Sequence, residues 1–115
     1  MNDLKPEAPS ELSADSEPGL VSIVIPNWNG KHFLTGCLDS LLSQTYKQLE
    51  IIVVDNGSKD GSVEFLAEHY ASVKVPRFSV NTGFSVAVNR GIKESRGEFI
   101  ALINNDTVVD RAWVE

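Results

Sequence analysis

Apolar and polar residues follow one another in blocks along the chain, and these blocks predict alternating strands and helices. Two apolar runs rich in β-branched residues, 21–25 and 49–54, have the length of strands. Between them, residues 31–44 carry apolar side chains at the spacing of an amphipathic helix. A third run, 99–103, is unbroken and predicts a strand that is apolar on both faces, like a central strand of a parallel sheet covered by helices.

The same order of strand, polar loop and helix recurs with a spacing of roughly 25 residues, which is typical of parallel βαβ units. Ser62 is the expected N-cap of a short second helix, and residues 84–96 have the pattern of a third. Residues 73–80 form a weaker strand, interrupted by Pro76, and this favours an edge position. The predicted fold class is therefore α/β, an open and mostly parallel sheet with helices on both faces.

The first twenty residues differ from the rest in composition. Residues 1–20 are rich in Pro, Glu, Ser and Asp, and they predict a disordered acidic tail before an ordered domain over 21–115. Five acidic residues against one lysine give the tail a charge of −4, so −2 of the net −6 remains for the domain. Because no basic stripe is present, the composition argues against a nucleic-acid partner.

Cysteine use and hydropathy narrow the class of protein further. The single cysteine, Cys37, excludes an internal disulfide and falls on the apolar face of the first helix, where we expect it in the core. The sequence shows no apolar run of the ~20 residues that a membrane span needs. It also does not show the pattern of a signal peptide, a basic segment followed by an apolar one, at its start. A cytoplasmic location is the expectation from these features.

Each predicted strand is followed by a cluster of polar residues. Because right-handed crossovers bring the carboxyl ends of parallel strands to one edge of the sheet, the clusters should converge there. Ligands of open α/β sheets bind at that edge. The clusters are Asn27 with Asn29, residues 55–60, residues 81–83 and residues 104–106.

The residues in these loops exclude some ligand sites and favour others. The loop after the first strand lacks the Gly-x-Gly-x-x-Gly motif of a Rossmann-type dinucleotide site, and the chain lacks the Lys-Ser/Thr of a P-loop. A phosphorelay receiver would need paired acids after the first strand, where Asn27 and Asn29 are neutral. Asp55 could accept an N–H from a uracil or thymine ring, and Asp106 could hold a divalent cation that compensates a diphosphate. Together they describe a nucleotide-sugar site. The alternative for Asp106 is a turn in which Asp106 or Thr107 caps a helix formed by 108–115.

Four motifs in order resemble the inverting family-two glycosyltransferases. They are Ile-Pro-Asn-Trp-Asn-Gly at 25–30, Val-Val-Asp-Asn-Gly-Ser-Lys-Asp-Gly-Ser at 53–62, residues 81–92, and Glu-Phe-Ile-Ala-Leu-Ile-Asn-Asn-Asp-Thr at 98–107. The resemblance covers 21–115. It implies a GT-A fold and transfer of a sugar from a nucleoside diphosphate of the UDP or dTDP type, with Mg²⁺ or Mn²⁺ as the expected cofactor.

The same resemblance implies roles for individual residues. Asp106 would be the metal ligand, in the place of the family's Asp-x-Asp motif. Asn104 replaces the first aspartate of that motif, a form similar to a rhamnosyltransferase-like subgroup, so Asp106 is left as the only anionic ligand. The residues implied in nucleotide binding are Pro26, Asn27, Asp55, Asn81, Gly83, Asn89, Asn104 and Asn105.

The family's acceptor site and general base follow this region and are expected beyond Glu115. The chain is therefore expected to be the donor-binding part of an enzyme of polysaccharide biosynthesis, inactive alone. The whole protein would use a glycan or lipid-linked acceptor and could work at the inner face of the membrane. Apolar residues near the chain's end predict a homodimer. The alternative function is a non-catalytic nucleotide-binding or interaction module that retains the fold.

Overall fold

A four-stranded parallel sheet forms the centre of the computed structural model, which describes residues 16–115. All strand pairs are parallel and their order across the sheet is β3-β2-β1-β4. The sheet confirms the predicted α/β class, and the two-residue β3 lies at an edge as expected. The strands are β1 (Glu17–Asn27), β2 (Leu49–Asn56), β3 (Arg77–Phe78) and β4 (Gly97–Leu102).

Helices cover both faces of the sheet, because each central strand is apolar on both sides. The helices are α1 (Lys31–Leu42), α2 (Ser62–His69) and α3 (Phe84–Glu94). On one face α1 and α2 pack over Ile23, Ile25 and Val53, and Cys37 is buried there as predicted. On the other face Ala87 of α3 packs over Val24, Ile52 and Val54.

The direction of chain winding reverses between β1 and β4. From β1 the chain moves outward through β2 to β3, and α3 then returns it across the opposite face to β4 on the other side of β1. Gly91 allows α3 to lie close to the sheet, since a Cβ there would be 2.3 Å from the Val24 Cγ1 atom. The carboxyl ends of β1 and β4 therefore flank the topological switch point, the usual ligand position in open α/β sheets.

Two strands differ from their sequence predictions. Strand β1 begins at Glu17 rather than at residue 21, and residues 1–15 of the predicted tail lie outside the described residues. Strand β4 is an edge strand of the described sheet, so the expected burial of both its faces is wrong. Phe99 is 59% exposed on one face of the strand and Leu102 is 47% exposed on the other.

The last ten residues run along α1 without forming a helix. Their backbone groups bond to the end of α1 instead: the buried Gln44 side chain donates to the Asp110 carbonyl at 2.6 Å and accepts from the Val114 N–H at 3.0 Å. The alternative in which Asp106 or Thr107 caps a helix is therefore wrong. Trp113 is 43% exposed in this segment.

A half-buried carboxylate connects β2 to β1 and to the segments before β3 and β4, near the amino end of the sheet. Glu50 of β2 accepts hydrogen bonds from Lys74 Nζ at 2.6 Å, Ser22 Oγ at 2.6 Å and the Arg96 N–H at 2.8 Å. Burial alone would raise the pKa of Glu50, but these hydrogen bonds outweigh it and lower the pKa below its ordinary value. This cluster lies at the edge opposite the polar loops and stabilises the fold there.

Among residues 16–115, none of the helices combines the length and apolar character that a membrane span requires.

Candidate functional site

The loops that follow β1, β2, β3 and β4 meet at the carboxyl edge of the sheet and enclose an open cleft of about 340 Å³. We call this space the switch-point cleft, because the exit loops of β1 and β4 form two of its walls. The convergence that the sequence predicts is thus found in the structure. The lining residues are Pro26, Asn27, Trp28, Asn56, Asn81, Phe84, Asn104, Asn105 and Asp106.

Asn27 lies at the junction of three of these loops. Its side chain is 1% exposed and belongs to the last residue of β1. The Asn27 Nδ2 group donates to Asp55 Oδ1 at 3.1 Å and to Ser58 Oγ at 3.4 Å. The Asn27 Oδ1 atom accepts from Asn105 Nδ2 at 2.8 Å. One side chain therefore ties the exit loops of β1, β2 and β4 together.

Asp55 lies beneath the cleft rather than in its lining. The residue is 2% exposed, and its Oδ2 atom accepts the Ser58 N–H at 2.9 Å while Oδ1 accepts from Asn27. Strand β2 carries Asp55 to the predicted edge, but both carboxylate oxygens already have protein partners. A carboxylate offers about four acceptor positions, so these bonds leave capacity for a further donor.

A second set of bonds joins the β1 and β2 exit loops nearer to solvent. The Asn29 N–H donates to Ser58 Oγ at 2.8 Å, and the Lys59 N–H donates to Asn29 Oδ1 at 2.8 Å. Asn29 has a φ of 51°, in the left-handed region that asparagine tolerates better than most residues. The two loops thus form one hydrogen-bonded surface.

Asp60 is a structural carboxylate that serves two helices. Its Oδ2 atom accepts the first N–H of α1, from Lys31 at 3.0 Å, and Oδ1 accepts the Ser62 N–H at 3.0 Å and the Ser62 hydroxyl at 2.5 Å. Partial burial alone would raise the pKa of Asp60, but these hydrogen bonds outweigh it and lower the pKa. Gly61 occupies the N-cap position that we expected for Ser62, and Asp60 supplies the capping oxygen.

Asn56 fixes the exit loop of β3. Its Nδ2 group donates to Asn81 Oδ1 and to the Gly83 carbonyl, both at 3.1 Å. Its Oδ1 atom accepts the Thr82 N–H and the Thr82 hydroxyl, both at 2.8 Å. Asn56 belongs to the predicted polar cluster 55–60 but is not among the residues implied in nucleotide binding, although it lines the cleft. Its position directly after Asp55, at the end of a buried strand, could have indicated a site residue.

Two exposed aromatic side chains line the cleft beside these amides. Trp28 is 55% exposed and Phe84, the first residue of α3, is 58% exposed. Both lie in the cleft lining, so neither packs into the core beneath its loop. Exposed aromatic faces next to amide groups suit a ligand that has both a planar or apolar part and hydrogen-bonding groups.

The structure brings most of the predicted site residues together, but not all of them. Of the predicted site residues, those that line the cleft are Pro26, Asn27, Asn81, Asn104, Asn105 and Asp106. Asp55 is buried beneath it, and Gly83 contributes its carbonyl to Asn56 rather than a surface to the cleft. Asn89 lies in the middle of α3, outside the lining.

The cleft lining carries one formal charge, the carboxylate of Asp106. The described part of the chain holds no cluster of three or more His, Cys, Asp or Glu side chains placed for a metal. A single carboxylate beside asparagine oxygens nevertheless matches the hard oxygen donors of Mg²⁺ or Mn²⁺, which take further ligands from water and phosphate. The residues present therefore fit a divalent cation that arrives with an anionic ligand.

Cys37 lies under the exit loop of β4 and is not a reactive thiol. Burial, and secondarily the charge of Asp106, raise the pKa of Cys37 to about 11. Its Sγ atom donates to the Asn104 carbonyl at 3.9 Å, a weak contact that supports the cleft wall from below.

The parallel sheet and the cleft at its switch point define an α/β domain of the open-sheet class, in which ligands bind at the carboxyl edge of the strands. More particularly, the chain belongs to glycosyl transferase family 2, whose family model matches residues 22–115. An uncharacterised glycosyltransferase of Rickettsia typhi is 42% identical over 87 residues, which cover 76% of this chain and 27% of that protein. The uncharacterised glycosyltransferase EpsJ of Bacillus subtilis is 43% identical over 100 residues, covering 84% of this chain and 28% of EpsJ.

Solved structures confirm the GT-A fold. Staphylococcus aureus TarS in complex with UDP-GlcNAc matches with a TM-score of 0.73 and 25% identity, over 80% of this chain and 28% of TarS 1–349. The Pyrobaculum calidifontis mannosyltransferase PcManGT, in complex with GDP-Man and Mn²⁺, matches with a TM-score of 0.66 and 25% identity, over 76% of this chain and 28% of its own. The chain thus spans between a quarter and a third of the length of these relatives.

Proposed function

We propose that this chain is the donor-binding part of an inverting glycosyltransferase, which transfers a sugar from a nucleoside diphosphate to an acceptor. The observation that carries the proposal is the switch-point cleft, where four exit loops place amides, two aromatic rings and one carboxylate around a single space. Family membership supports sugar transfer, and TarS with UDP-GlcNAc supports a nucleotide-sugar ligand. A general base is expected outside residues 16–115, so the chain alone should transfer no sugar.

Different residues of the cleft are suited to different parts of the ligand. We propose that the nucleoside lies near Pro26 and Asn27, with a ring N–H of uracil or thymine directed at the remaining acceptor capacity of Asp55. Trp28 offers a face on which the ring could stack. Asn81 and Asn104 supply hydrogen bonds to the ribose and sugar side. The bonded loops hold these groups in place before the ligand arrives, which limits the entropy lost on binding.

We propose that Asp106 holds Mg²⁺ or Mn²⁺ together with amide oxygens of its loop. Since no cationic side chain is among the nine lining residues, a diphosphate in the cleft needs charge compensation from elsewhere. A bound cation would supply that compensation and stabilise the charge of the departing diphosphate. The Mn²⁺ in the PcManGT complex supports a divalent metal in this family.

Calorimetric titration with UDP, in Mn²⁺ and then in EDTA, tests both parts of the proposal. We expect binding in Mn²⁺ and an affinity at least about ten-fold lower in EDTA, about 1.4 kcal/mol. Asp106→Ala should remove the difference between the two conditions. Asp110→Ala is the matched control, because Asp110 is an exposed carboxylate in the same segment that does not line the cleft. Absence of UDP and thymidine diphosphate binding under all conditions would refute the donor site.

The competing function is a non-catalytic nucleotide-binding or interaction module. It predicts UDP binding by the cleft but no transfer even when the chain is part of its whole protein. A transfer assay on the whole protein, with glycan and lipid-linked acceptors, separates the two functions. The cytoplasmic location, at the inner membrane face for the whole protein, stays a prediction that fractionation of cells would check.

We also propose that the exposed edge of β4 pairs with a second copy of the chain. Phe99, Ile100 and Leu102 are each more than two-fifths exposed along this strand. An unpaired edge strand with apolar side chains is a template for strand pairing. Trp113 and Val21 line a neighbouring apolar groove of about 400 Å³, which would add contact area to such a dimer.

A further inference from the structure

The side chains of Asp55, Asn27 and Asn105 form a directed chain of hydrogen bonds beneath the switch-point cleft. Asp55 is a carboxylate and can only accept. The nearest side-chain amide must therefore present its NH₂ group to Asp55, as Asn27 does at 3.1 Å. If the Asn27 amide were reversed, two acceptor oxygens would face one another in a site that is 1–2% exposed.

The orientation of Asn27 then determines that of Asn105. With its NH₂ group on Asp55, Asn27 offers an oxygen to the other side, and the group that meets this oxygen must donate. Asn105 does so through Nδ2 at 2.8 Å. The Oδ1 atom of Asn105 has no bonded partner among the described residues, and Asn105 lines the cleft next to Asp106.

A glycine makes room for this chain of bonds. A Cβ atom on Gly30 would lie 2.0 Å from Asn105 Nδ2 and 2.6 Å from Asn27 Oδ1. Both distances are far shorter than van der Waals contact. The φ of Gly30 is −109°, which other residues adopt freely, so space and not backbone conformation requires glycine here.

We infer that Asp55 sets, through Asn27, the orientation of the Asn105 amide, so that the cleft receives an oxygen acceptor beside Asp106 and not an N–H donor. Asp55 and Asn27 are thus positioning residues for Asn105, and Asp55 acts on the exit loop of β4 as well as on the nucleoside side. The inference rests on the proposed function only where it takes the ligand of the cleft to be a nucleotide. The three side chains form the same bonds whether or not a nucleotide binds.

The first test measures how fast the side-chain NH₂ protons of the unaltered chain exchange with solvent, by ¹⁵N NMR. We expect the Asn105 NH₂ protons to exchange roughly ten-fold slower than those of Asn104, as follows from one partly buried hydrogen bond. Asn104 is a suitable control because it is exposed, lies in the same loop and makes no side-chain hydrogen bond in the described structure. Equal exchange at the two residues would overturn the inference without any variant.

The second test exchanges the two polar groups. Asn27→Asp alone places two carboxylates together. Asp55→Asn alone removes the charged acceptor that fixes the direction of the chain of bonds, so the amides of Asn27 and Asn105 can reverse together. The double variant restores the bonds among the three side chains and with the Ser58 N–H, because the Asp55→Asn amide can accept from that N–H and donate to the Asn27→Asp carboxylate, which accepts from Asn105. The Ser58 hydroxyl, which accepts from Asn27 in the unaltered chain, must donate in the double variant. We expect each single variant to lower Tm, and the double variant to recover at least half of the summed loss and to keep slow Asn105 exchange.

A double variant whose Tm loss equals the sum of the single losses would overturn the inference. Both measurements are made without nucleotide. A failure of UDP binding therefore counts against the proposed donor site and not against the amide orientation, and a failure here leaves the UDP titration unaffected.

Discussion

Gly30→Ala gives a sharp test of the site geometry, because the change adds one methyl group at a single contact. That methyl would lie 2.0 Å from Asn105 Nδ2, so the Asn105 side chain must rotate away and give up its 2.8 Å bond to Asn27. Asn27 Oδ1, on a residue 1% exposed, would then lack a donor. A buried acceptor left unpaired costs about 1–3 kcal/mol.

Chemical and thermal unfolding of the purified chain measure this cost. For a domain of this size about 1 kcal/mol corresponds to a change in Tm of about 4–8 °C, so we expect a decrease of at least about 4 °C. Gly36→Ala is the matched control. Its Cβ would meet only Val108 Cγ2, at 3.5 Å, and an alanine inside helix α1 should stabilise by about 0.5–1 kcal/mol.

Measuring the stability loss of Gly30→Ala in two backgrounds shows whether this loss arises from the contact with Asn105. In an Asn105→Ala background the nearest clashing atom is gone, so Gly30→Ala should cost less there than in the unaltered chain. The 2.6 Å contact with Asn27 Oδ1 remains, so part of the cost should persist. If Gly30→Ala leaves Tm unchanged, or costs the same in both backgrounds, the described packing of Asn105 over Gly30 is wrong.

Three further predictions concern other parts of the molecule. Asp55→Ala should weaken UDP binding by about ten- to a hundred-fold, since a charge-assisted hydrogen bond contributes about 1.5–3 kcal/mol; calorimetry that shows unchanged affinity would remove Asp55 from the donor site. Because the folded state lowers the pKa of Glu50, this carboxylate stabilises the fold above its unfolded pKa and the contribution is lost as pH falls through the lower folded pKa. Acid titrations of stability should therefore be shallower for Glu50→Gln, and identical curves would contradict the assignment. Light scattering after size exclusion should give the mass of a dimer and Phe99→Lys that of a monomer; a monodisperse monomer of the unaltered chain would show that the β4 edge does not pair.

The convergence of the site could be predicted from the sequence because it depends on topology and not on side-chain detail. Strand runs separated by helices dictate parallel strands, and right-handed crossovers place every exit loop at one edge. Asn27 and Asn105, 78 positions apart, could thus be expected to approach each other. The four motifs indicated the family, and the match of the family model to residues 22–115 confirms it.

The roles of individual polar residues could not be predicted in this way. Whether Asp55 faces a ligand or supports a loop depends on which donors surround it, and these come from Asn27 and Ser58 on different segments. Asp60 likewise acts as a cap for α1 only because folding brings Lys31 beside it. A sequence pattern gives the chemical type of a side chain, whereas its partners are set by tertiary packing.

Strand β4 shows the same distinction at the level of surfaces. Its unbroken apolar run correctly predicted a strand and wrongly predicted burial, because a pattern reports what a residue prefers and not whether another element covers it. The two ends of this strand consequently have opposite character. Its exit loop presents Asn104 and Asp106 to the switch-point cleft, while Phe99 and Leu102 leave an apolar edge exposed. A polar cleft suits a charged small molecule and an apolar strand edge suits polypeptide, so we expect ligand binding and chain association to be separable by substitutions on one strand and its loop.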